Sequence, residues 1–598
     1  MGNRNGGRTS SGYLRVKIMA AGLALGVGLG VMAFGVQYAG AAPPLANVSG
    51  MILNQGADST QMNLTWYADS ADVGVPAATI LGGATFTGSQ GAATSGQNWN
   101  KVTLTGLAPG TTYQFQVSNT GTDLSQTFEF TTVGAGGFRF AAVGDPQIGT
   151  SAPIDSDPSI AADAASWAAT VVEILNRGAE FIVGTGDQIE NANQDAAAVI
   201  IKEKEYAGFI DGLNRVNTLT AFSPAMGNHE ADGSLPSGVG RELFDYHYTA
   251  PNQMGATVSG FKLMNYYYLV NNVLYVVLDT APYPGDPTAA APFVAAYDAT
   301  LTAATTTYSG QYDWLIVQTH KSQMTTASHW DDADIRAYSL AGFEDVMTKH
   351  GVDLVLTGHD HSYNRTYPLK SVYSAIGTGG PLVANGMTID QDNTGDTLVY
   401  PDGTVYVALN SSSGSKYYAI QGADKFTTAV QGQNDTPEYT IIDLTATKLA
   451  VKTYEVGTGH VVDAFTIEKP VATVTFDLNT GTSPGVTPIT VKPGSVVALP
   501  NDPVKAADNA NTYTFAGWFT AASGGQPFTA STVVTADLTV YAQWIATPRS
   551  LTGDDPGTSQ PRQGDGPIVE TGGSVVRDTP IFLMPFLILG AVIVGTHR

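Results

Sequence analysis

The 598-residue chain contains no cysteine and few basic residues. Without cysteine it can form neither a disulfide nor a thiolate metal site. Only 28 lysines and arginines stand against 52 aspartates and glutamates, which gives a formal net charge of −24 at pH 7. Because nucleic-acid binding needs basic patches, we expect no nucleic-acid partner. The net negative charge of the protein also repels an anionic substrate at long range. A site that binds such a substrate therefore needs its own positive charge.

The few basic residues include a small group at the N-terminus. Residues 1–41 carry four of them and no acid, and they include a glycine-rich apolar run, Ile18–Val36, and a small-x-small pattern, Ala39-Gly40-Ala41. This order predicts a signal peptide over residues 1–41, cleaved on export. An uncleaved membrane anchor is the alternative, since about 20 apolar residues can span a bilayer. Together with the absence of cysteine, the pattern favours an exported protein of the Gram-positive type.

A second apolar segment, Thr579–Gly595, lies near the C-terminus and is followed by His597-Arg598. Before it come a Gly-, Asp-, Pro- and Ser-rich stretch, Leu551–Gly566, and a short segment, Ile568–Gly572, that ends in Thr-Gly. The stretch predicts a linker. The short segment and the apolar segment with its basic end resemble a degenerate sortase signal followed by a transmembrane segment. Residues 547–598 are therefore expected to attach the protein to the cell surface, through the wall or through the membrane.

The most informative motif is Gly358-His359-Asp360-His361, which follows a mostly apolar run, Val352–Leu356. The run predicts a buried strand. Alternate residues of an extended segment point the same way, so both imidazoles can reach one site while Asp360 points elsewhere. Two histidines at the end of a strand suggest metal ligands.

Four other apolar runs lead into metal-binding side chains. The side chains that follow these runs are, in chain order, Asp145, Asp187, Asn228 with His229, and His320. The carboxyl ends of strands in an α/β sheet are where such a fold binds its ligands. Glycines beside these residues allow sharp turns and close approach of the backbone.

This set of motifs resembles the binuclear metallophosphoesterases, and within them the purple acid phosphatases. His329 follows His320 by nine positions, a spacing that the purple acid phosphatases use for a substrate-binding histidine. The segment 358–365 resembles their Gly-His-x-His-x-Tyr-x-Arg pattern. The resemblance covers about Phe138–Lys469 and a domain before it.

The resemblance implies a centre of two metal ions. It places Asp145, Asp187 and His361 at one metal, and Asp187, Asn228, His320 and His359 at the other. Asp187 then bridges the two ions. The catalytic histidines implied by the resemblance are His229, which contacts phosphate and protonates the leaving oxygen, and His329, which orients the ester. Tyr363 and Arg365 are interpreted as supports of the loop rather than substrate contacts.

Two positions depart from the purple acid phosphatase pattern. Glu190 stands where that family has the tyrosine that gives its ferric iron the purple colour, so Fe(III) loses its expected phenolate ligand. Gln147 stands in the first motif where the purple acid phosphatases have glycine and many other metallophosphoesterases have histidine. The identity of the metals (Fe, Zn or Mn) therefore stays open, and so do the roles of Gln147 and Glu190.

The resemblance and the patterning predict a multidomain chain. Residues 47–133 alternate in short β-type runs and resemble a fibronectin type III β-sandwich, the N-terminal domain of purple acid phosphatases. Residues 138–469 form the α/β catalytic domain, expected as a four-layer sandwich with two mixed sheets between helices. Residues 471–546 resemble the Listeria–Bacteroides repeat, a small β-rich module. Helices are predicted over Ala161–Arg177 and Ile335–His350.

The predicted function is that of an envelope-attached, acid phosphatase-like hydrolase that uses two metal ions to cleave small-molecule phosphate monoesters. A phosphodiesterase or nucleotide hydrolase of the same fold is the alternative within the enzymes. The alternative of another class is a surface adhesin that keeps the fold only as a scaffold. The sequence leaves the physiological substrate open, because candidate specificity loops such as Tyr283–Thr300 carry no readable pattern.

Overall fold

The structure is a computed structural model that describes residues 48–549 apart from 120–121, 124–125, 216, 232–233, 237, 372–386, 422–426 and 484–485. The predicted signal peptide and most of the predicted C-terminal attachment segment lie outside the described residues. Within the described ranges, no helix combines the length and apolarity needed to cross a membrane. The chain divides into two compact units, a large one that runs to Val474 and includes Ile489–Val497 and Thr532–Leu538, and a small one with the other C-terminal residues.

The N-terminal domain is a β-sandwich, as predicted. Its strands are β1 (Val48–Gln55), β2 (Met62–Ala68), β3 (Ala77–Ile80), β4 (Thr85–Thr87), β5 (Ser89–Ala92), β6 (Asn98–Leu104), β7 (Thr112–Asn119), β8 (Thr122–Asp123) and β9 (Phe128–Thr131). One sheet has the order β1-β2-β6-β5, and the other has β4-β3-β7-β8 with β9 also paired to β7. In β7 the alternating pattern buries Phe115 and Val117 between the sheets, which is what period-two patterning predicts.

The catalytic region contains every described helix and two large sheets. Its first half has β10 (Phe138–Val143), α1 (Asp157–Asn176), β11 (Ile182–Gly184), α2 (Ala198–Leu213), β12 (Phe222–Pro224), α3 (Val239–His247), β13 (Thr257–Val258), β14 (Phe261–Lys262), β15 (Tyr266–Val270), β16 (Val273–Leu278) and α4 (Pro287–Thr307). Its second half has β17 (Trp314–Thr319), α5 (Ala333–Leu340), α6 (Phe343–His350), β18 (Leu354–Thr357), β19 (Tyr363–Thr366), β20 (Leu369–Ser371), β21 (Met387–Ile389), β22 (Thr397–Val399), β23 (Val405–Ala408), β24 (Thr428–Gly432), β25 (Glu438–Leu444), β26 (Lys448–Glu455) and β27 (Val461–Glu468).

Two seven-stranded mixed sheets pack face to face between two helical layers, which confirms the predicted four-layer arrangement. The first sheet has the order β12-β11-β10-β25-β26-β27-β22, and the second has β15-β16-β17-β18-β23-β19-β24. One apolar core lies between the sheets, a second lies between the second sheet and α4 to α6, and a third lies between the first sheet and α1 to α3. A strand that is covered on both faces has a continuous apolar sequence, and β16 is an example.

Two helical expectations need correction. The predicted helix over Ile335–His350 is two helices, α5 and α6, because Gly342 adopts a left-handed φ of 96° and breaks the run. The expected loop over Tyr283–Thr300 is mostly α4, which starts at Pro287 behind an Asp286 cap that accepts from Ala289 N at 2.9 Å. The helix predicted over Ala161–Arg177 is confirmed as α1.

The β-sandwich packs against the first sheet of the catalytic region. A parallel bridge joins Leu53 of β1 to Ala221, next to the edge strand β12, and Asn54 donates a 2.8 Å hydrogen bond to the Phe222 carbonyl. Side chains of both domains belong to one apolar core. The sandwich therefore covers an edge strand that would otherwise be open to pairing with another chain.

The last described strands form a separate five-stranded sheet. They are β28 (Ala472–Asp477), β29 (Ile489–Val491), β30 (Asn511–Phe519), β31 (Pro527–Phe528) and β32 (Leu538–Pro548). Their order is β29-β28-β32-β30-β31. This β-rich module agrees with the predicted fold of the C-terminal repeat.

Candidate active site

All the predicted site positions follow strands whose carboxyl ends meet at one edge of the two sheets. Parallel strands β10, β11 and β12 of the first sheet lead to Asp145, Asp187 and the pair Asn228-His229. Parallel strands β17 and β18 of the second sheet lead to His320 and the 359–361 motif. A site at this edge is where a parallel α/β sheet offers side chains to a ligand.

One group of these side chains is close enough to hold a single ion. Ligand atoms of Asp187, His320 and His359 all lie within 4.8 Å of one another. His320 Nε2 is 3.2 Å from Asp187 Oδ2 and 3.2 Å from His359 Nδ1. Asn228 Oδ1 lies 2.9 Å from the same His320 nitrogen. The four positions that the resemblance places at one metal thus converge.

Asp145 and His361, which the resemblance places at the other metal, also approach each other. His361 Nε2 lies 3.7 Å from Asp145 Oδ1, and both side chains are buried. Asp145 Oδ1 is also 3.8 Å from the His320 ring nitrogen Nδ1. The two groups are therefore neighbours, because His320 of the first group lies close to both Asp187 and Asp145.

The backbone around these residues is unusual. Asp145, Asp187, His359 and His361 have positive φ angles of 33°, 47°, 70° and 39°. Such conformations cost roughly 1–3 kcal/mol each and persist where the surrounding structure enforces them, most often at functional sites. The histidines therefore converge through a left-handed turn after β18, and not by the extended alternation expected from the sequence, although Asp360 does point away from them.

Three glycines are required by close approach. A Cβ atom on Gly227 would lie 2.0 Å from Asp187 Oδ1, and one on Gly358 would lie 2.4 Å from Asp145 Oδ2. One on Gly186 would lie 2.6 Å from His320 Nδ1. These glycines leave room for the carboxylates and the imidazole, as the sequence predicted.

Carbonyl groups orient two of the imidazoles. His320 Nδ1 donates to the Thr185 carbonyl at 2.9 Å, and His361 Nδ1 donates to the Lys416 carbonyl at 2.9 Å. In the neutral form of each ring, this bond leaves Nε2, the nitrogen that faces the aspartates, without a proton. Hydrogen bonds of this type fix the tautomer of metal-binding histidines.

Burial and charge shift the pKa values of the cluster in opposite directions. Burial lowers the pKa of His361 to about 3 and that of His359 well below its usual value, aided for His359 by the charge of His320. Burial opposes protonation of His320 too, but the neighbouring Asp187 and Asp145 raise its pKa to about 9. Neutral imidazoles beside carboxylates are the forms that bind metal ions.

Glu230 is a functional residue that the sequence reading missed. Its buried carboxylate accepts from Asp187 N at 2.9 Å and Gly227 N at 2.7 Å through one oxygen, and from Gln188 N and Ile189 N through the other. Burial and the charge of Asp187 raise its pKa to about 7. Glu230 thereby ties the loop after β11 to the loop after β12, and its position directly after Asn228-His229 was the only hint.

His229 and His329 lie at the open side of the cluster. His229 N donates to Asp187 Oδ1 at 2.8 Å, and its Nδ1 donates to the Glu190 carbonyl. His329 Nδ1 lies 2.6 Å from Asp332 Oδ2, and its ring stacks on His359 with centroids 4.1 Å apart. Asp332, a second missed residue, orients the ring of His329 as Glu190 does that of His229.

Asp360 organises the loop that carries His329. Its buried carboxylate accepts from His329 N at 2.8 Å, from Ala327 N at 2.7 Å and from the Thr325 hydroxyl. Arg365 and Tyr363 both bond Asp463 on β27, which agrees with their interpretation as supports. Neither the sequence spacing nor the motif revealed the partners of these residues.

The two departures from the family pattern have different surroundings. Gln147 is buried, and its Oε1 is without a hydrogen-bond partner among the described residues. Glu190 Oε2 accepts from the Thr150 hydroxyl at 2.6 Å and lies 3.5 Å from His229 Nδ1. Glu190 thus contacts a predicted catalytic histidine.

A cavity of about 100 Å³ opens onto the cluster. Its described lining consists of Asp187, Asn228, His229, Tyr283, His329, Asp332, His359, His361, Lys416 and Tyr418. The predicted ligands Asp145 and His320 lie behind this lining and are fully buried. Lys416 and Tyr418 were not anticipated, because no motif surrounds them in the sequence, whereas Tyr283 begins the segment that was considered for specificity.

The donor set fits a centre of two metal ions. The carboxylates, imidazoles and one amide oxygen are ligand types that Zn²⁺, Mn²⁺ and iron accept. Buried aspartates and neutral imidazoles crowd together here, and cations would compensate the charge of these carboxylates. The assignment of individual residues to each ion stays a prediction.

Comparison with known families confirms the resemblance predicted from the motifs. Residues 48–132 match the Purple acid Phosphatase, N-terminal domain, residues 138–363 match the Calcineurin-like phosphoesterase family, and residues 473–543 match the Listeria-Bacteroides repeat domain. The calcineurin-like match and the fold together support a metal-dependent phosphoester hydrolase.

Individual relatives are distant or cover short segments. Two uncharacterized proteins of Mycobacterium tuberculosis, from strains CDC 1551 / Oshkosh and ATCC 25618 / H37Rv, are each 32% identical over 108 residues. The match spans 18% of this chain and 18% of each relative.

A solved purple acid phosphatase shares the fold at low identity. The purple acid phosphatase PPD1 from yellow lupin (Lupinus luteus) seeds has a TM-score of 0.51 at 13% identity, over 71% of this chain and 74% of its own. PhoD has a TM-score of 0.46 at 12% identity, over 72% of this chain and 92% of its own.

Proposed function

We propose that this chain is an exported, envelope-attached phosphatase that hydrolyses small-molecule phosphate monoesters at a centre of two metal ions. The observation that supports it most is the convergence of six potential ligands at the ends of strands from both sheets, beside a cavity that two further histidines line. The family match of residues 138–363 gives the reaction class. To this reaction class the proposal adds the monoester substrate and the location at the cell envelope.

We assign the ligands as the resemblance implies. Asp145, Asp187 and His361 hold one ion, and Asn228, His320 and His359 hold the other together with Asp187. Metal ions held by these residues would supply positive charge and a water molecule of lowered pKa as the nucleophile. The positive charge also offsets the acidic surface that would otherwise repel a phosphate.

The residues of the chain place the ester and handle its proton. His229 is held by its backbone bond to Asp187 and its side-chain bond to Glu190, so its Nε2 is the nitrogen available to the substrate. In the proposed reaction this nitrogen donates a proton to the leaving oxygen. His329, oriented by Asp332, contacts the phosphate. The rigid loop held by Glu230 keeps Asp187, Asn228 and His229 in a fixed relation.

Attachment to the cell surface follows from the predicted signal peptide, the repeat and the C-terminal segment. The match to the Listeria-Bacteroides repeat supports a surface protein. The proposal leaves both modes of attachment open, covalent linkage by a sortase and anchoring by residues 579–595.

The proposal is tested by loading the purified protein with Fe, Zn or Mn, measuring metal content, and assaying a panel of phosphoesters. We expect about two ions per chain and faster hydrolysis of monoesters than of diesters. A preference for diesters or nucleotides would contradict the monoester proposal and favour a phosphodiesterase or nucleotide hydrolase. No hydrolysis by protein with two bound ions would overturn the enzymatic function and favour the adhesin.

A further inference from the structure

Among the described residues that line the cavity, Lys416 is the only lysine or arginine. It lies in the loop between β23 and β24, which no motif marked in the sequence. Its ammonium group is 5.2 Å from the ring centroid of Tyr418, and this ring lies 5.0 Å from the ring of His329 and 5.1 Å from that of His361. The lysine and the tyrosine therefore form one wall of the site.

The backbone of this wall is fixed to the predicted metal ligands. The Lys416 carbonyl accepts from His361 Nδ1 at 2.9 Å. Gln433 Nε2 donates to the carbonyls of His361 and Tyr418, the latter at 3.0 Å. The position of Lys416 is thus set by the main chain, while its side chain is a flexible stem with a charged end.

The charge of Lys416 is available for a ligand. No carboxylate oxygen of the described residues lies within 4.0 Å of its ammonium nitrogen. The side chain is half-buried, so its charge is less screened than that of a surface lysine.

We propose that the Lys416 ammonium binds the phosphate group of the substrate, with Tyr418 holding the lysine at the wall of the cavity. The proposal rests on the phosphoesterase function proposed above and deepens it, because it names a residue that recognises the anion. Lysine is an effective phosphate ligand as a mobile point charge. A chain with so few basic residues gains attraction for an anion only from charges placed at the site itself.

Three variants test the proposal. Lys416→Met keeps the length of the side chain and the carbonyl that orients His361, but removes the charge. Lys416→Arg retains the charge. Lys370→Met is the matched control, because it changes the net charge of the protein equally at an exposed lysine paired with Asp402. For each protein we measure metal content, the Kd of inorganic phosphate by calorimetry, and KM and kcat for a monoester with a neutral leaving group.

We expect Lys416→Met to keep the metal content of the wild type while the phosphate Kd and the KM rise about ten- to a hundredfold. Lys416→Arg should recover most of the affinity, and Lys370→Met should match the wild type. An unchanged phosphate Kd in Lys416→Met, an equal loss in Lys370→Met, or loss of metal from Lys416→Met would each overturn the proposal. Failure of the wild type to hydrolyse any ester is a separate result, which overturns the proposed function, and the phosphate Kd values then still decide the role of Lys416.

Discussion

At the scale of single residues, the site depends on buried charges that are held by hydrogen bonds from the backbone. Asp145 and Asp187 each accept backbone amides, from His359 and His229 respectively. Burial raises the pKa of Asp145 well above its usual value, whereas the charges of His320 and His229 overcome burial and lower that of Asp187. The two aspartates therefore differ in their surroundings, although both are buried.

Replacement of Asp187 should have the larger effect on metal binding. We expect Asp187→Ala to lose most of both ions, because the residue is assigned as the bridge and its ligand atoms lie beside His320. Gln147→Ala, the matched control at a buried neighbour of the site, should keep most of the metal. Elemental analysis of both variants measures this, and full metal retention by Asp187→Ala would show that the bridge is assigned wrongly.

Replacement of His229 should remove proton donation while leaving the metals in place. General acid catalysis contributes about 10²–10⁴-fold, so a loss of kcat of that order is expected for His229→Ala on monoesters with poor leaving groups. The loss should shrink for good leaving groups, which need little protonation. His460→Ala, at an exposed histidine outside the cavity, should retain wild-type turnover. An equal loss along the leaving-group series would assign His229 to phosphate binding instead.

At the scale of helices and strands, the sequence predicted what depends on local pattern. The run Val352–Leu356, predicted as a buried strand before the 358–361 motif, is strand β18, Leu354–Thr357. The break at Gly342 was missed because glycine is tolerated within a helical pattern, and only its left-handed backbone reveals the new start.

The partners of the site were beyond the sequence because they are set by tertiary contacts. Lys416 meets His361 across 55 positions, and Glu230 meets the loop after β11 across about 42. No spacing rule links such pairs. The six potential ligands could be named because family motifs mark them, whereas the contacts of Lys416 and Glu230 exist only in the folded chain. Asp332 lies three positions from His329, so its contact is local, but no motif marked it.

Helix α6 carries a buried carboxylate whose ionisation should depend on folding. Glu344 accepts from the Ser339 hydroxyl at 2.7 Å through one oxygen, while its other oxygen is buried without a partner among the described residues. Burial raises its pKa from 4.5 to about 7. Between these values the folded protein keeps a proton that the unfolded chain releases, so stability falls as the pH rises from about 4.5 to 7.

The Glu344→Gln variant should remove this loss, which amounts to about 3 kcal/mol above pH 7. We expect its unfolding midpoint to exceed that of the wild type at pH 8 and to approach it near pH 4.5. Thermal unfolding across this pH range is the measurement. Glu242→Gln, at an exposed glutamate also in the first turn of a helix, should show no such effect. Parallel pH curves for wild type and Glu344→Gln would contradict the assignment.

At the scale of the whole molecule, the N-terminal β-sandwich is a structural part of the enzyme. It shares a core with the catalytic sheets and covers β12, the strand that leads to Asn228 and His229. The sandwich therefore supports the strand that leads into the candidate site. The repeat near the C-terminus carries none of the predicted site residues.

Surface attachment is a property of the complete chain and is testable by fractionation. Deletion of 568–598 should release the enzyme from the envelope into the medium with its activity unchanged, because these residues follow the catalytic region. Internal deletion of the repeat, 471–546, should leave attachment intact. Retention of the first variant in the envelope would place the anchor elsewhere. Sortase linkage in particular requires cleavage after Thr571, which mass spectrometry of wall fragments detects.

The pairing of β10 with β25 has a consequence for how this domain can be inherited. Phe138–Val143 pairs with Glu438–Leu444, so the first sheet is completed by strands about 300 positions further along the chain. A transfer to an unrelated gene that separates these strands would leave part of the sheet without its partner and with exposed pairing edges. Such a transfer therefore has to carry the region from β10 to β25 as one piece. The modules on either side of this region can be gained, lost or replaced more easily. A new N-terminal domain must still cover the edge strand β12.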